Sequence, residues 1–394
     1  MSEHAPLMPS ASAQWVACAG SVPLQAGIPE EDSQASMEGT AAHWVCEQVL
    51  GSFINPTASV LISTDIIGVQ APNGIVITEE MWDAAKIYVD DILETCTKHG
   101  LLQQLHVEER VDMPDIHPDC WGTPDCWAYA REANTLYIWD FKYGHGSVSA
   151  YENWQMICYV LGALRKIVGD TPMVDYGINV VIRIVQPRCY DGQGAVREWL
   201  TPAVELRAHI NILNQAAYAA VSANATCNTG PQCKHCTGAH VCAALRDATA
   251  NVIDHSGDAT PVNMTEIALG YELDKLNAAA ALIKVRKDAL EVTAEHRVRH
   301  GSTVPGWAMV QGYGHNKWND PKSAPTVIKM MTGVDVMAEP VMLTPSKAIA
   351  LLKKSNVDPA VIAPFYTKPP TSMKLKIDDG SKARQVFSKA GLGV

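Results

Sequence analysis

The chain has 394 residues, is 47% hydrophobic and 19% charged, and carries a formal net charge of −11. That length supports two or three domains with a sizeable core, and the balance is that of a globular protein rather than a disordered or fibrous one. No run of eighteen apolar residues occurs, which argues against a transmembrane helix, and the start MSEHAPLMPSASAQW lacks the basic and apolar regions of a secretory signal, so the cytoplasm is the expected location.

The charge is unevenly spread. Residues 1–260 carry 13 Lys+Arg against 30 Asp+Glu, whereas residues 261–394 carry 18 against 12. An acidic front and a basic back predict two regions with different tasks. The eleven cysteines are an odd number. In a chain without a secretory signal, clustered cysteines point to metal rather than to disulfides, and scattered ones such as Cys46, Cys96, Cys158 and Cys189 to small core residues.

In chain order, residues 1–35 read as irregular with a short helix near Ser10–Cys18. Ser36–Leu50 reads as a helix carrying His43. Residues 51–78 read as a loop with short β-prone pieces, and Glu79–His99 as a long helix with an apolar stripe. Leu105–Val111 alternates and reads as one strand, able to aim Glu108 or Glu109 into a site. Trp121–Tyr159 is the richest stretch. Its Trp127–Ala130 and Leu136–Trp139 segments predict two antiparallel strands turning at Asn134, with Asp125 and Asp140 fifteen positions apart. Asp140 and Lys142, two apart on a strand, share a face. Tyr151–Val168 reads as a helix on which Gln155 and Tyr159 share a face at i, i+4. Asp175–Pro187 reads as a central strand, and Pro202–Ala223 as a helix.

Cys227, Cys233, Cys236 and Cys242 fall within sixteen residues, a density that predicts a metal or cluster site. The C-x2-C-x5-C spacing does not repeat as paired knuckles, which lowers the case for a zinc ribbon. Cys227, His235, His240 and the distant Cys18 compete for the fourth ligand place. Residues 246–262 read as a linker and Asn263–His300 as a long helix or bent pair carrying Lys284, Arg286 and Lys287. Gly306–Trp318 reads as a hairpin, Thr344–Lys354 as a capped helix, and the tail as basic, with Lys374, Lys376, Lys382 and Arg384.

The order of these elements resembles the PD-(D/E)XK nuclease superfamily in its RecB-like branch. The residues that carry the resemblance are His43 in the leading helix, Asp125 after Gly122-Thr-Pro, Asp140-Phe141-Lys142 as the D-x-K element, and Gln155-x3-Tyr159. Cys18 with Cys233, Cys236 and Cys242 resembles the four-cysteine iron–sulfur subgroup, which includes AddB-type and Cas-associated exonucleases, with Cys227 as the alternative ligand. Ser10–Gly20 and Glu38–His43 also resemble an uncharacterised phage and prophage family of that superfamily.

The resemblance implies an α/β restriction-endonuclease-like core, a central mixed sheet flanked by helices. It would span residues 1–245, followed by the linker and by a mainly helical basic domain, 263–394, that contacts DNA through Lys284, Arg286, Lys287 and the tail. It implies a Mg2+- or Mn2+-dependent deoxyribonuclease, most readily an exonuclease, acting in phage recombination, replication or repair, with a recombinase or annealing protein as a possible partner. Asp125 and Asp140 are hard oxygen ligands for such an ion. His43, the Phe141 carbonyl and Glu108 are further candidate ligands, and Lys142, Gln155 and Tyr159 would handle water and backbone. The cysteines would hold a [4Fe-4S] cluster, with Zn2+ as the alternative. A cluster joining Cys18 to Cys233 would close a loop of about 215 residues, and its loss is expected to unfold the N-terminal helix and misplace His43. A catalytically inactive nucleic-acid-binding or adaptor protein on the same fold is the competing reading.

Overall fold

A computed structural model describes residues 5–28, 32–169, 177–189, 194–255, 265–309 and residue 330. The chain divides into two compact units, Met1–Val310 and Gln311–Val394. The expected helix at 344–354, most of the 306–318 hairpin and the tail residues Lys374, Lys376, Lys382 and Arg384 lie outside the described residues.

The first unit opens with helices α1 (Ser12–Ala17) and α2 (Ser21–Gln25), then α3 (Gln34–Ile54), α4 (Ser63–Ile66) and α5 (Glu79–His99). Strands β1 (His106–Val107), β2 (Val111–Asp112), β3 (Trp121–Gly122), β4 (Cys126–Ala130) and β5 (Thr135–Phe141) follow. Helix α6 (Trp154–Val168), β6 (Asn179–Val185), β7 (Val196–Pro202) and helices α7 (Arg207–Ala220), α8 (Ala243–His255) and α9 (Glu266–Arg299) complete it.

Local chemistry sets these boundaries. Helix α5 starts where the Thr78 side chain accepts the Met81 N–H, places Glu79 and Glu80 in its first turn and Lys98 and His99 in its last, and stops at Gly100 with φ +66°. Asn153 caps α6 in the same way by accepting from Met156 N. The tight turn between β4 and β5 uses Asn134 at φ +46°, a left-handed position that asparagine tolerates.

The main sheet runs β1-β4-β5-β6-β7. Only the β5–β6 pair is parallel, and α6 makes the crossover between them. The sheet is therefore mixed and flanked by helices, and the protein is α/β. Alternation along β4 and β5 splits the core into two. Trp127, Leu136 and Ile138 pack with α6, α7 and α1 residues. Cys126, Ala128, Trp139 and Phe141 pack with α3 and α5. A polar tie secures α5 to its face: Asp91 accepts from Trp139 Nε1 at 2.8 Å and from Arg183 at 3.1 Å, and Arg183 also pairs with Glu198.

Three expectations need correction. Leu105–Val111 is not one strand: Glu108 adopts φ +48°, ending β1 at Val107, and Val111 begins a separate ribbon with β3. Residues 246–262 do not begin as a linker, because α8 extends to His255 and buries Leu245 and Thr249. The apolar positions spaced along Ala243–Val252 outweigh the Asp and Thr content that suggested a loop. Strand β7 went unrecognised because Val196-Arg-Glu-Trp-Leu-Thr201 does not alternate apolar with polar: this edge strand buries Arg197 and Thr201 and exposes Leu200.

Candidate metal site and cysteine corner

The acidic residues gather where the start of β4 meets the end of β5. Asp125 immediately precedes β4, and its Oδ2 accepts the Phe141 backbone N–H at 2.7 Å. That bond ties the two strand ends together and sets Asp125 beside Asp140. His43 reaches in from α3, with Nδ1 3.4 Å from Asp125 Oδ2 and its ring edge-on to Phe141 at 5.2 Å. His43, Glu108 and Asp125 each offer a ligand atom within 4.8 Å of the others. The left-handed turn at Glu108, whose N–H donates to the Asp125 carbonyl at 3.2 Å, aims its carboxyl group there.

Asp140 faces the other helical layer. It is 1% exposed, which makes its bonding decisive. Lys142 Nζ lies 3.0 Å from each of its oxygens, but the angle suits a hydrogen bond to Oδ1 alone. Gln155 Nε2 donates to the same Oδ1 at 3.0 Å, while Gln155 Oε1 accepts from Lys142 Nζ at 3.2 Å. Oδ2 is left buried without a hydrogen-bond donor. Tyr159, one turn along α6, is in hydrogen-bond reach of Gln155.

Electrostatics agree with an anionic pocket. Desolvation, then the neighbouring Asp125, push Asp140 up to about 6 against the pull of Lys142. Glu108 is raised to about 8 by desolvation and by Asp125, Glu47 and Asp140, although one side of it meets solvent. Burial works against the Lys142 charge, yet Asp140 and Asp125 outweigh it and hold its pKa above the ordinary value. Burial raises the Tyr159 hydroxyl, which stays protonated. Crowded carboxylates and an orphaned buried oxygen are the pattern a hard divalent cation satisfies, and the donor set of two or three carboxylates and one imidazole suits Mg2+ or Mn2+.

The residues expected at this site thus fall into two neighbouring groups, His43, Glu108 and Asp125 on one side and Asp140, Lys142 and Gln155 on the other, with Phe141 bonded to Asp125 and Tyr159 in reach of Gln155. Sequence reasoning did not single out Trp44 and Glu47, which line the neighbouring pocket. Their signal was present in helical spacing, since Thr40, His43, Trp44 and Glu47 recur at three and four along α3.

The five clustered cysteines form a separate corner. Cys18, at the end of α1, lines one small cavity with Cys233, Cys236 and Cys242. Cys227 does not line it, though its thiol lies within hydrogen-bond reach of Cys18 and Cys242. The N-terminal segment is fastened here. Gly20 N donates to Thr226 O at 2.8 Å, Asn228 N to Cys18 Sγ at 3.3 Å, and Thr237 N to Gln25 Oε1 at 3.0 Å. Gly20 permits this approach, because a Cβ there would stand 2.6 Å from Cys227 Sγ and 2.7 Å from its backbone nitrogen. Burial raises the Cys236 thiol to about 11 and the Cys227 thiol to about 12, so ligation would release protons. Backbone N–H groups already point at two of the sulfurs, since Leu245 N donates to Cys242 Sγ at 3.4 Å.

Helix α3 packs against α5 and the sheet face bearing Phe141, whereas α1 packs with α6 and α7, so His43 and the cysteines sit in separately packed layers.

Among the basic residues expected on DNA, Arg286 is engaged. Its guanidinium donates to the carbonyls of Ala239 and His240 at 2.9 and 2.7 Å, which seats α9 on the cysteine corner. Lys287 pairs with Glu291 one turn away at 2.8 Å, and Lys284 is exposed. Among the described residues, no helix is long and apolar enough to cross a membrane.

The family model that matches covers residues 4–382, nearly the whole chain, and is described as a protein of unknown function, DUF2800. The chain belongs to that family.

Proposed function

We propose that the chain is a Mg2+- or Mn2+-dependent deoxyribonuclease on a PD-(D/E)XK-type core, acting on DNA ends as an exonuclease. The observation that carries the reading is the Asp140–Lys142–Gln155 triangle set against Asp125, His43 and Glu108 at paired strand ends. Asp125, Asp140, His43 and Glu108 would hold the ion, with the Phe141 peptide beside them. A bound ion would supply an activated water and offset charge on the phosphate.

The remaining steps belong to the chain. Lys142, kept protonated by Asp140, presents a fixed positive charge to a pentavalent phosphate and orients the attacking water. Gln155 holds both Asp140 and Lys142, so neither can swing away as charge develops. Tyr159 offers a neutral hydroxyl to the nucleic-acid backbone.

The cysteine corner is read as a structural [4Fe-4S] site with Cys18, Cys233, Cys236 and Cys242 as ligands. Tetrahedral Zn2+ on the same thiolates is the alternative occupant. A phage recombination or replication setting, with a recombinase or annealing protein as partner, follows from the same reading.

The test is a Mn2+ and Mg2+ assay on end-labelled single and double strands, comparing the wild-type chain with Asp140→Ala and Lys142→Ala. Cleavage that both substitutions abolish is expected. No cleavage by the wild-type chain with either ion would replace this reading with a non-catalytic nucleic-acid-binding role.

A further inference from the structure

Beside the acidic cluster, one face of α3 continues into an open pocket of about 610 Å3, within the size range of small-ligand sites. Ser36, Gly39, Thr40, His43, Trp44 and Glu47 line one wall. The opposite wall is the 71–73 loop, fastened to the first turns of α3 by Asn73 Nδ2 donating to the Met37 carbonyl at 2.7 Å. The pocket is polarised along its length. Glu47, Glu108 and Asp125 stand at the inner end with His43, and among the described residues no lysine or arginine lines it. The outer part is neutral: an aromatic ring, small residues, a proline and hydroxyls. Those polar groups are largely committed, since Thr40 Oγ1 donates to the Ser36 carbonyl at 3.2 Å and Ser36 Oγ bonds Asp32 at 3.1 Å.

This combination selects a ligand class. A free phosphate gains nothing from the neutral outer part. A flat, uncharged ring can lie against Trp44, and stacking of that kind is tolerant of base identity. We propose that the pocket takes the base and sugar of one unpaired nucleotide, with its phosphate turned inward to the acidic cluster and the divalent cation there. The inference rests on the nuclease reading for that cation and names its substrate: a single-stranded end or splayed nucleotide, bound without base preference. Because both hydroxyl protons are already donated, to Asp32 and to the Ser36 carbonyl, neither is offered to a base edge, and discrimination among the four bases is weak.

Calorimetric titration of the full chain in Ca2+ with dTMP, dAMP and inorganic phosphate tests it. Both nucleotides are expected to bind at least tenfold tighter than phosphate and within a few-fold of each other. Gly39→Leu fills the pocket from a helical position where an added Cβ meets nothing within 4 Å. Leucine is also the better helix former, so the fold survives. It should weaken dTMP binding tenfold or more, as should Trp44→Ala, with phosphate affinity little changed. Equal affinity for dTMP and phosphate, no binding of either, or dTMP binding indifferent to Gly39→Leu overturns the proposal. The nuclease reading stands or falls separately on Mn2+-dependent cleavage: Gly39-sensitive dTMP binding without cleavage keeps the pocket and removes the enzyme.

Discussion

At the acidic site, Asp125, Asp140, Phe141 and Lys142 come from eighteen consecutive residues. At the cysteine corner, Cys18 meets Cys233 across a chain loop of about 215 residues. The first is assembled by local strand pairing and gathers like charges that oppose one another. The second is assembled by long-range packing and gathers cysteine side chains in a small cavity. The first therefore opposes the fold in the metal-free chain, whereas the second, if ligated as proposed, would restrain the unfolded chain. A protein can afford the first because the sheet beneath it is independently packed on both faces.

The largest effect that would break this contrast is the loss of a cysteine ligand. A cross-link over 100 residues or more restricts the unfolded chain by about 4–5 kcal/mol in the entropy model. Cys18→Ser is therefore expected to lower the melting temperature strongly and to abolish visible absorption and bound iron in anaerobically purified protein. Cys227→Ser should leave both nearly intact. If the two variants behaved alike, Cys227 would belong to the ligand set. Because α3 is held by α5 and not by α1, the Mn2+ response of the acidic site should survive Cys18→Ser at temperatures where the chain stays folded.

Next in size is Lys142→Ala, which leaves the corner untouched. Removing one preorganised donor costs roughly 2.7–4 kcal/mol of barrier, a fall in kcat of about 10²–10³. Single-turnover cleavage rates would measure it. A rise in KM alone, with kcat unchanged, would show that Lys142 only binds substrate.

Gly20→Ala probes the corner without touching a ligand. The new Cβ would meet the Cys227 backbone nitrogen at 2.7 Å, and backbone cannot step aside as a side-chain tip can. Overpacking of this kind costs typically about 1–3 kcal/mol. A lower melting temperature with unchanged Lys142-dependent cleavage would confirm that the two regions are energetically separate. An equal loss of cleavage would join them.

Much of the acidic site was legible in the sequence because its geometry is a consequence of strand period and helical spacing. Asp140 and Lys142 share a face at i, i+2, and Gln155 with Tyr159 share one at i, i+4, so each pair was placed before any tertiary contact was known. The core of α5 was legible for the same reason. What the sequence hid was set by single backbone dihedrals or by distant partners. Nothing in His106-Val-Glu-Glu-Arg announces the left-handed turn at Glu108 that ends β1 and swings a carboxylate into the site. Nothing local to Gly20 announces the loop at Thr226 and Cys227 that requires a missing Cβ. Arg286 looked like a nucleic-acid contact because charge is visible in sequence, whereas its two carbonyl partners are not.

The smallest expected effect is also the one that reads the contrast most directly. Asp140 and Glu108 both titrate higher in the folded chain than in the unfolded one, to about 6 and about 8. A carboxyl raised in this way stabilises the fold fully below its unfolded pKa and loses that contribution as pH climbs through the folded value. Metal-free protein should therefore soften from about pH 4 upward, the Asp140 contribution being spent by about pH 6 and the Glu108 contribution by about pH 8. Mn2+ bound as proposed would reverse the sign locally, since it would take the ionised carboxylates, so the gain in melting temperature on adding Mn2+ should be larger at pH 8 than at pH 5.5. Glu108→Gln removes the upper step alone. Its side chain is exposed, and solvent screening keeps the gain in the metal-free protein below about 2–4 °C, the shift that roughly 1 kcal/mol produces in a domain of 150–250 residues. Melting curves at four pH values, with and without Mn2+, decide it. A Mn2+ gain independent of pH would mean that the crowded carboxylates are not the ion's ligands, and the acidic cluster would then be a destabilised corner with no cation to relieve it.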